Sequence, residues 1–424
     1  MTGRTLTFIL AGGHGKRLLP LTANTGKPLL PFGAGFRILD FTLSNCRNSE
    51  LGQSYLLTQF DAESVQKYVA SGWKDVLCLP STARNSYKGT ADAIFHHRRL
   101  IESISPQFVV VLCADHIYKM DYRKLLQFHV ITGGDVTVAA VEHPIALASG
   151  FGVIDIDNDY QIVGFDEKPE RPAPMPSKPD NSLVSMGVYV FNTDVLLREG
   201  ARCLISGGLD FGKEVIPEMI RSHRVNAYNF SLSGSDLGTY WRDVGTLDTY
   251  YRSQMELLLH DSPFDCYNNA SWPIHTAGRP ATFHITSKDG FVIDSVVADD
   301  CRMHDARVTR SVIGQQTCIE PGAEVDECVI MGGVRIGRSA KVRRTIVQDG
   351  AEIPDNARIG FGLKDDCEQY LVSQGGIVVV DAERCRESVR SIAVREVNVQ
   401  VHNTGAHRFG GSVVAEIARN RNDK

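Results

Sequence analysis

The chain has 424 residues, of which 43% are hydrophobic, and it carries a formal net charge of −5. This length predicts two or three domains with a sizeable core, and the slight negative charge gives no indication of binding to nucleic acid or to a membrane surface. Ten cysteines occur without a CxxC pair, so neither a zinc site nor a disulfide framework is indicated. Because we find no signal peptide and no apolar stretch of the ~18 residues that a membrane span needs, we expect a cytoplasmic protein.

The first predicted element is a buried strand, LTFIL, that leads into a glycine-rich turn. Gly12, Gly13 and Gly15 let the backbone approach a ligand closely, and successive N–H groups in such a turn bind anions. Arg17 and Lys27 follow with full positive charges. The spacing is neither that of a Walker A loop nor that of a dinucleotide fingerprint. The turn alone is therefore compatible with an ordinary βα loop, but with these cations it favours a nucleoside triphosphate site.

A βαβ rhythm follows in the middle of the chain. Residues 108–112 and 135–141 are apolar runs typical of strands buried on both faces, and residues 122–131 between them have a helical pattern. This rhythm predicts a mostly parallel sheet covered by helices. Ligands in such folds bind beyond the carboxyl ends of the strands, where Asp115 and the glycine turn are expected to lie.

The last third of the chain has a different period. Aliphatic residues recur in steps of 5, 6 and 6 at Val308, Ile313, Ile319, Val325, Ile330, Ile336, Val342, Val347, Ile353 and Ile359. Three short strands per turn of a coil give this hexapeptide rhythm, so the pattern predicts a parallel β-helix. A set of ordinary β-strands with accidental spacing is the alternative. Gly314, Gly322, Gly337 and Gly360 are expected at the corners.

Several blocks in order along the chain together resemble the sugar-nucleotide pyrophosphorylases, and within them the branch that forms ADP-glucose. The blocks are G-G-x-G-x-R-L-x-P-L-T from Gly12, K-P at Lys27, F-R-I-L-D-F from Phe36, Y-K-G-T-A-D-A from Tyr87, D-H-I-Y from Asp115, F-D-E-K-P from Phe165, S-M-G from Ser185, D-F-G-K from Asp210 and W-R-D-V-G-T from Trp241. The resemblance covers roughly residues 5 to 380.

The resemblance implies an α/β fold in two parts. We expect a Rossmann-like nucleotidyltransferase domain with a mostly parallel sheet over residues 1–261 and a linker over 262–290. A left-handed parallel β-helix of hexapeptide type is expected over 291–381, followed by a C-terminal extension of unknown role over 382–424. The family assembles as homotetramers, which the resemblance also implies here.

The activity that the resemblance implies is transfer of AMP from ATP to glucose 1-phosphate, giving ADP-glucose and pyrophosphate for glycogen or a related α-glucan. The attacking sugar phosphate is already an anion, so the enzyme must align two anions and neutralise charge on the leaving group. Arg17, Lys27 and Asp115 are the expected catalytic residues. Asp115 and Asp243 match the two aspartates that hold Mg²⁺ in this superfamily, and carboxylate oxygens suit that ion.

Further positions match the substrate-binding residues of the family. On the nucleotide side these are Gly12, Gly13, Gly15, Gln59, Gly89 and Thr90. On the glucose 1-phosphate side they are Tyr87, Gly152, Glu167, Lys168 and Ser185. Glu167 and Lys168 are adjacent, and adjacent residues on a strand point to opposite faces. We therefore expect the backbone to bend at this pair, since otherwise the two form only a surface ion pair.

The regulatory site of the family, between the two domains, is altered in this chain. Basic residues of relatives are replaced at Asn24, Thr25, Pro31, Glu368, Gln369 and Val372, whereas Arg37, Arg343 and Arg344 remain as expected regulatory cations. Each lost charge-assisted hydrogen bond weakens an anion site by roughly 1.5–3 kcal/mol. Our hypothesis is that the response to phosphorylated activators is reduced or uses another ligand.

The sequence leaves three alternative functions open. The first is a pyrophosphorylase that uses another nucleotide to form UDP- or dTDP-glucose. The second is a non-catalytic regulatory subunit, against which the retained Arg17, Lys27, Asp115, Lys168 and Asp243 argue. The third is a hexapeptide acyltransferase or a bifunctional uridylyltransferase. It needs a longer coil with a catalytic histidine, and residues 291–381 contain only His304.

Overall fold

The computed structural model describes residues 5–82, 86–234, 237–278, 283–285, 291–298 and 300–382. The predicted C-terminal extension therefore lies outside the described residues except for its first residue. Part of the predicted linker, 279–282 and 286–290, lies outside them too.

The N-terminal unit is built on a sheet whose middle strands are apolar on both faces. The described strands of this unit are β1 (Thr5–Ala11), β2 (Pro31–Phe32), β3 (Phe36–Arg37), β4 (Ser54–Thr58), β5 (Val76–Pro80), β6 (Phe108–Cys113), β7 (His116–Tyr118), β8 (Val136–Pro144), β9 (Gly152–Ile156), β10 (Ile162–Glu167), β11 (Asn181–Asn192), β12 (Val225–Asn229) and β13 (Trp241–Asp243). In β6, Val109 and Val111 pack into one core and Val110 and Leu112 into another, on the opposite side of the sheet. Helices cover both faces, as the continuous apolar runs predict.

Eight α-helices belong to the described part of this unit. They are α1 (Ile38–Asn48), α2 (Ala62–Gly72), α3 (Thr90–Phe95), α4 (Arg98–Ile104), α5 (Tyr122–Thr132), α6 (Thr193–Ile205), α7 (Ile216–Ile220) and α8 (Leu247–Glu256). The predicted helix over 122–131 is α5. It starts at the N-cap Asp121, whose carboxylate accepts from the Arg123 N–H, and ends at Gly133 in the left-handed conformation.

The sheet has a parallel centre and one long antiparallel strand. Strands β5, β4, β1 and β6 lie side by side and run parallel, and β8 pairs in parallel with β12. Strand β11 runs antiparallel between β6 and β8, so these two do not pair directly. Strands β9 and β10 extend the sheet beyond β11 as an antiparallel pair. The structure confirms the predicted α/β fold with a mostly parallel sheet. It shows in addition that the antiparallel strand β11 lies between β6 and β8.

The C-terminal unit is a parallel β-helix. Its described strands are β14 (Phe283–Ile285), β15 (Val292–Ile293), β16 (Val296–Ala298), β17 (Arg302–Met303), β18 (Arg307–Thr309), β19 (Val312–Ile313), β20 (Cys318–Ile319), β21 (Glu324–Asp326), β22 (Val329–Ile330), β23 (Arg335–Ile336), β24 (Lys341–Arg343), β25 (Thr345–Val347), β26 (Glu352–Ile353), β27 (Arg358–Ile359), β28 (Leu371–Val372) and β29 (Val378–Val380), with helix α9 (Leu363–Gln369) before β28.

Its register confirms the periodicity. Val308 pairs with Val325, which pairs in turn with Val342 one coil further on, and Ile319 pairs in the same way with Ile336. All ten periodic aliphatic residues are buried. Each coil therefore stacks its aliphatic side chains on those of the coil below, which is the core of this unit.

Some of the expected corner glycines have another role. Gly322 and Gly360 do turn with positive φ, but Gly314 and Gly337 do not. A Cβ on Gly337 would lie 2.5 Å from the backbone nitrogen of the next coil, at Asp355. Gly314 and Gly337 therefore permit close stacking of successive coils, and residues with side chains, such as Gln316 and Ser339, occupy other left-handed corners.

The two units share one hydrophobic cluster. Leu18, Phe32 and Leu247 of the N-terminal unit pack with Ile346 and Val379 of the β-helix. The described part of the linker also packs on the N-terminal unit. There the Trp272 ring N–H donates to the Asn45 side chain on α1 at 2.9 Å.

Candidate active site

A cleft of about 510 Å³ opens at the carboxyl ends of β1 and β6. Its lining residues include Gly12, Gly13, Gly15, Arg17, Lys27, Gln59, Tyr87, Gly89, Thr90, Asp115, Asp210 and Gly245. Gly15 has φ of 62°, the left-handed conformation that the turn into the 3₁₀ segment Lys16–Leu18 requires. The structure thus brings the predicted nucleotide-binding residues and catalytic residues to one cleft.

Lys27 lies at the floor of the cleft between two carboxylates. Its ammonium is 2.9 Å from Asp115 Oδ2 and 3.1 Å from Asp243 Oδ1. The lysine is only 5% exposed. It starts a short 3₁₀ turn, Lys27–Leu29, and the N–H of the preceding Gly26 donates to Asp61 Oδ2 at 2.9 Å. Backbone and charge partners together hold this ammonium in place.

The charges of this cluster stabilise one another. Burial lowers the pKa of Lys27, but the charges of Asp115 and Asp243 outweigh burial and the pKa is raised overall. Burial also opposes ionisation of Asp115, yet the Lys27 ammonium holds the pKa of this carboxyl well below its usual range. Asp115 still has 38% of its side-chain surface open to the cleft. An ionised carboxylate is therefore available to a ligand there.

Asp243 reaches the cluster through a short strand pair. β13 pairs antiparallel with β7, which places Asp243 opposite His116, the residue after Asp115. Arg17 Nη2 lies 3.9 Å from Asp243 Oδ2 on the solvent side, where 62% of the arginine side chain is exposed. A Cβ on Gly245 would lie 2.8 Å from both of these atoms, so a larger residue at this position would displace the two side chains. Because this pair is long and Arg17 is largely exposed, the arginine can turn toward a ligand in the cleft.

Three side chains of this cluster can share a cation. Ligand atoms of Asp115, His116 and Asp243 all lie within 4.8 Å of one another. His116 Nε2 lies 3.4 Å from Asp115 Oδ1, and its Nδ1 is buried without a hydrogen-bond partner among the described residues. The two carboxylates are the oxygen donors that a hard divalent cation takes. Sequence reasoning missed His116, although it stands in the D-H-I-Y block.

The nucleotide side of the cleft is fixed by polar contacts between loops. Gln59 Oε1 accepts from the Tyr87 N–H at 2.7 Å, and the Thr90 hydroxyl donates to Asp210 Oδ2 at 3.0 Å. A Cβ on Gly89 would lie 2.2 Å from the carbonyl oxygen of Leu209, which forces glycine at this close approach. Asp210 is a further cleft residue that received no role from the sequence.

Three of the predicted sugar-phosphate residues, Gly152, Glu167 and Lys168, lie together at the end of β10 where it pairs with β9. Glu167 pairs with Gly152 in the β9–β10 register and forms an ion pair with Lys168. Lys168 has φ of 54°, so the backbone does bend at this pair, as expected. Glu167 Oε2 also approaches Gly212, two residues after Asp210, where a Cβ would lie 2.9 Å away.

Ser185 sits at an irregularity in β11 and accepts from the Gly187 N–H at 3.2 Å. Of these predicted sugar residues, only Tyr87 lines the described cleft itself.

The predicted regulatory cations do not converge on one described cleft. Arg37 lines a second cleft of about 480 Å³, together with Thr25, Asp61, Lys67 and, from the β-helix, Asp349. Arg343 instead pairs with Asp326 at 3.4 Å, and Arg344 donates to the carbonyl oxygen of Gly375 at 3.2 Å. Neither of these two arginines lines the cleft at Arg37.

Comparison with known proteins matches both units. Residues 6–259 match the family model described as nucleotidyl transferase, and residues 279–380 match that of the GlmU-like C-terminal hexapeptide. The fold and the site thus define a nucleotidyl transferase joined to a hexapeptide β-helix, in agreement with the predicted left-handed coil. Nucleotidyl transferases of this family generally use a divalent metal. Among the described residues, no helix is long and apolar enough to cross a membrane.

Relatives that match over nearly their whole length show which family of nucleotidyl transferases the chain belongs to. The chain is 40% identical over 395 residues to the glucose-1-phosphate adenylyltransferase of Aliivibrio fischeri strain MJ11, covering 88% of this chain and 97% of that protein. The enzymes of the same name from Methylococcus capsulatus and Paramagnetospirillum magneticum are each 39% identical, covering 90% of this chain and 94% of theirs. The chain belongs to the glucose-1-phosphate adenylyltransferase family.

Proposed function

We propose that this protein transfers AMP from ATP to glucose 1-phosphate and releases pyrophosphate and ADP-glucose, the precursor of a glycogen-like α-glucan. The observation that carries the proposal is the cluster of Lys27, Asp115 and Asp243 at the floor of the cleft, with Arg17 at its mouth. These groups supply the fixed charges that a reaction between two phosphate anions needs. The full-length relatives supply the substrate pair.

The cations act on the phosphates of the nucleotide. The N–H groups of the glycine turn bind the triphosphate, and Arg17 turns from Asp243 to grip phosphoryl oxygens in a bidentate way. Lys27 stays on the floor and stabilises the negative charge that develops on the departing pyrophosphate. A general base is unnecessary because the attacking oxygen belongs to a phosphate that is already ionised.

The metal of the proposed reaction is Mg²⁺. Ligand oxygens of Asp115 and Asp243 lie within 4.8 Å of each other, and this donor set fits a cation that prefers oxygen ligands. Asp115 and Asp243 would hold the ion, and its charge would screen the two substrates from one another and polarise phosphoryl oxygens. Lys27 contacts both carboxylates and holds them beside each other.

The sugar phosphate lies on the side of β9 and β10. The bend at Lys168 turns the Glu167–Lys168 pair so that both can contact one ligand. Lys168 binds the phosphate of glucose 1-phosphate, and Glu167 accepts from the sugar hydroxyls. Tyr87, Gly152 and Ser185 complete the proposed sugar-phosphate site.

Pyrophosphate release with glucose 1-phosphate and ATP, UTP, dTTP, CTP or GTP, each with Mg²⁺ and with EDTA, tests the proposal. We expect a strong preference for ATP that disappears in EDTA. Arg17→Ala should lower kcat by roughly 10²–10³-fold, whereas the exposed Arg221→Ala, which loses only a surface pair with Glu218, should not. Preference for UTP or dTTP would move the protein to another sugar nucleotide, and inactivity of the folded chain would favour a regulatory subunit.

The assembly and the effectors are also proposals. We propose a homotetramer, as the family resemblance implies, which sedimentation equilibrium can test. We propose a weak response to phosphorylated activators, because the cleft at Arg37 also contains the carboxylates of Asp61 and Asp349. Strong activation by fructose 1,6-bisphosphate that Arg37→Ala abolishes would contradict this. The cytoplasmic location stays a prediction.

A further inference from the structure

Helix α8 starts immediately beside the metal-site residue Asp243. Only Val244, Gly245 and the N-cap Thr246 separate this aspartate from Leu247, the first residue of the helix. The Thr246 hydroxyl accepts from the Thr249 N–H at 3.2 Å, which fixes the first turn. The position of Asp243 is therefore tied to the position of the start of α8.

The turn of the antiparallel hairpin β28–β29, at the end of the β-helix unit, holds that first turn of α8. The Ser373 hydroxyl donates to Asp248 Oδ1 at 2.5 Å, and the Gly375 N–H donates to Oδ1 and Oδ2 of Asp248 at 3.2 and 3.3 Å. A Cβ on Gly375 would lie 2.4 Å from Asp248 Oδ1, so the contact requires glycine. The turn is itself braced, because Arg344 donates to the Gly375 carbonyl oxygen and Ser373 Oγ accepts from the Ile377 N–H.

Two further side chains of α8, Tyr250 and Gln254, hold the segment that follows Lys27. Gln254 Oε1 accepts from the Gly33 N–H at 2.8 Å, and its Nε2 donates to the Pro31 carbonyl oxygen at 3.1 Å. The Tyr250 hydroxyl donates to the same carbonyl oxygen. Both Asp243 and Lys27 thus belong to segments attached to one helix.

We propose that Asp248 is a positioning residue for the metal site, and that the hairpin turn 373–376 of the β-helix unit supports this site through it. The inference rests on the proposed function, because it takes Asp115 and Asp243 as the metal-binding carboxylates. Metal sites need their ligands held to a fraction of an ångström. A carboxylate with three hydrogen bonds from another unit fixes the helix start better than a solvent-exposed side chain does. The β-helix is therefore part of the architecture of the active site.

A role in stability alone makes a different prediction from a positioning role. Loosening the contact between the units would lower the melting temperature and leave the affinity for the metal unchanged. Movement of Asp243 would weaken metal binding while leaving the sugar-phosphate site, on β9 and β10, unaffected. The metal dependence and the KM for glucose 1-phosphate therefore separate the two roles.

The test compares the full chain with Asp248→Ala, Asp248→Asn and Ser373→Ala. The control is Asp194→Ala, which removes an exposed acidic residue from the first turn of α6. Binding of Mn²⁺ is measured by electron paramagnetic resonance, and the half-saturating Mg²⁺ concentration and the KM for glucose 1-phosphate by steady-state kinetics. The melting temperature of each variant is recorded in EDTA.

We expect Asp248→Ala to raise the Kd for Mn²⁺ and the half-saturating Mg²⁺ concentration by up to about tenfold, which is the low end of the effect of side chains that contact metal ligands directly, because Asp248 acts through the start of α8. The KM for glucose 1-phosphate should stay within about twofold. Asp248→Asn should recover most of the loss, because its amide oxygen still accepts from Ser373 and Gly375. Ser373→Ala should shift metal binding in the same direction by a smaller factor.

Unchanged Mn²⁺ binding in Asp248→Ala overturns the proposal. If Asp248→Ala does not fold, unchanged Mn²⁺ binding in Ser373→Ala overturns it. A wild-type chain that forms no ADP-glucose but binds Mn²⁺ more tightly than Asp248→Ala would support the positioning role and overturn only the proposed function.

Discussion

Replacement of Lys27 by glutamine removes the cation that two carboxylates share. Glutamine has a similar length and can still donate hydrogen bonds, but it leaves Asp115 and Asp243 next to each other without a counter-charge. We expect two separate effects, a loss of stability without metal and a loss of catalysis with metal.

The structure bounds the size of the first effect. Breaking a buried ion pair by removing one partner costs about 3–5 kcal/mol. Asp115 has 38% of its side chain exposed and can regain water, so the cost here should be about 2–3 kcal/mol. At about 2–4 °C per kcal/mol for a domain of roughly 150–250 residues, the melting temperature in EDTA should fall by about 4–12 °C.

Metal should affect the two losses differently. An ion that binds only the folded state restores about 2.7 kcal/mol at a hundredfold excess over its Kd. Mg²⁺ should therefore bring the free energy of unfolding of Lys27→Gln most of the way back to that of the wild type in EDTA. It should not recover kcat, which we expect to fall roughly 10²–10³-fold because the charge on the departing pyrophosphate has lost its donor.

Differential scanning calorimetry with and without Mg²⁺, together with pyrophosphate release, measures both effects. The matched control is Lys67→Gln, whose ammonium pairs with Glu63 on the surface of α2. It should leave the melting temperature and kcat unchanged. A Lys27→Gln variant as stable as wild type in EDTA, or one whose kcat Mg²⁺ restores, would refute the reasoning.

Three further predictions concern the pH dependence, the cleft and the coil. Burial raises the pKa of Asp40 to about 6 from 3.8. Because the Asp40 carboxyl then holds its proton more tightly in the folded state than in the unfolded state, the free energy of unfolding should fall by up to about 3 kcal/mol as pH rises from about 4 to 6. Asp40→Asn should remove this slope in urea unfolding. Gly245→Ala should lower kcat about 10–100-fold with little change in melting temperature, because its Cβ would displace Arg17 and Asp243. Ile336→Ala, in the buried coil, should cost about 2–5 kcal/mol in thermal unfolding.

Each of these has a control on the same chain. Asp365→Asn changes an exposed aspartate and should keep the pH slope. Gly278→Ala places a Cβ with no atom within 4 Å and should keep kcat. Ile205→Ala removes a side chain that is 89% exposed and should leave the unfolding temperature unchanged. A variant that behaves like its control contradicts the corresponding prediction.

Much of the fold could be predicted because it follows from local patterns. The 17-residue spacing that places Val308, Val325 and Val342 on one face is a property of the chain alone, and the structure confirms it in the strand register. The long antiparallel strand β11 could not be predicted in its place between β6 and β8. An apolar strand pattern looks the same in either direction, so direction is decided by the neighbours with which a strand pairs.

The candidate site divides in the same way. The glycine turn, Lys27, Asp115 and Asp243 were identified by residue type and by resemblance, whereas His116 and Asp210 were missed. Both stand in local blocks, D-H-I-Y and D-F-G-K, but their places opposite Asp243 and beside Thr90 depend on contacts between distant parts of the chain. Arg343 and Arg344 have the residue type expected of regulatory cations, but their partners direct them elsewhere in the fold.

The sequence by itself determined the two architectures and the glycines and charges of the cleft, because side-chain periodicity, glycine placement and charge are properties of short segments; the reaction was implied by the resemblance to a family. Tertiary structure decided that Lys27 and Asp243, 216 residues apart, share a hydrogen bond. It also decided that a hairpin turn of the β-helix unit holds Asp248. The physical reason is that a hydrogen bond or an ion pair depends on distances of a few ångströms, and only packing of the whole chain sets those distances.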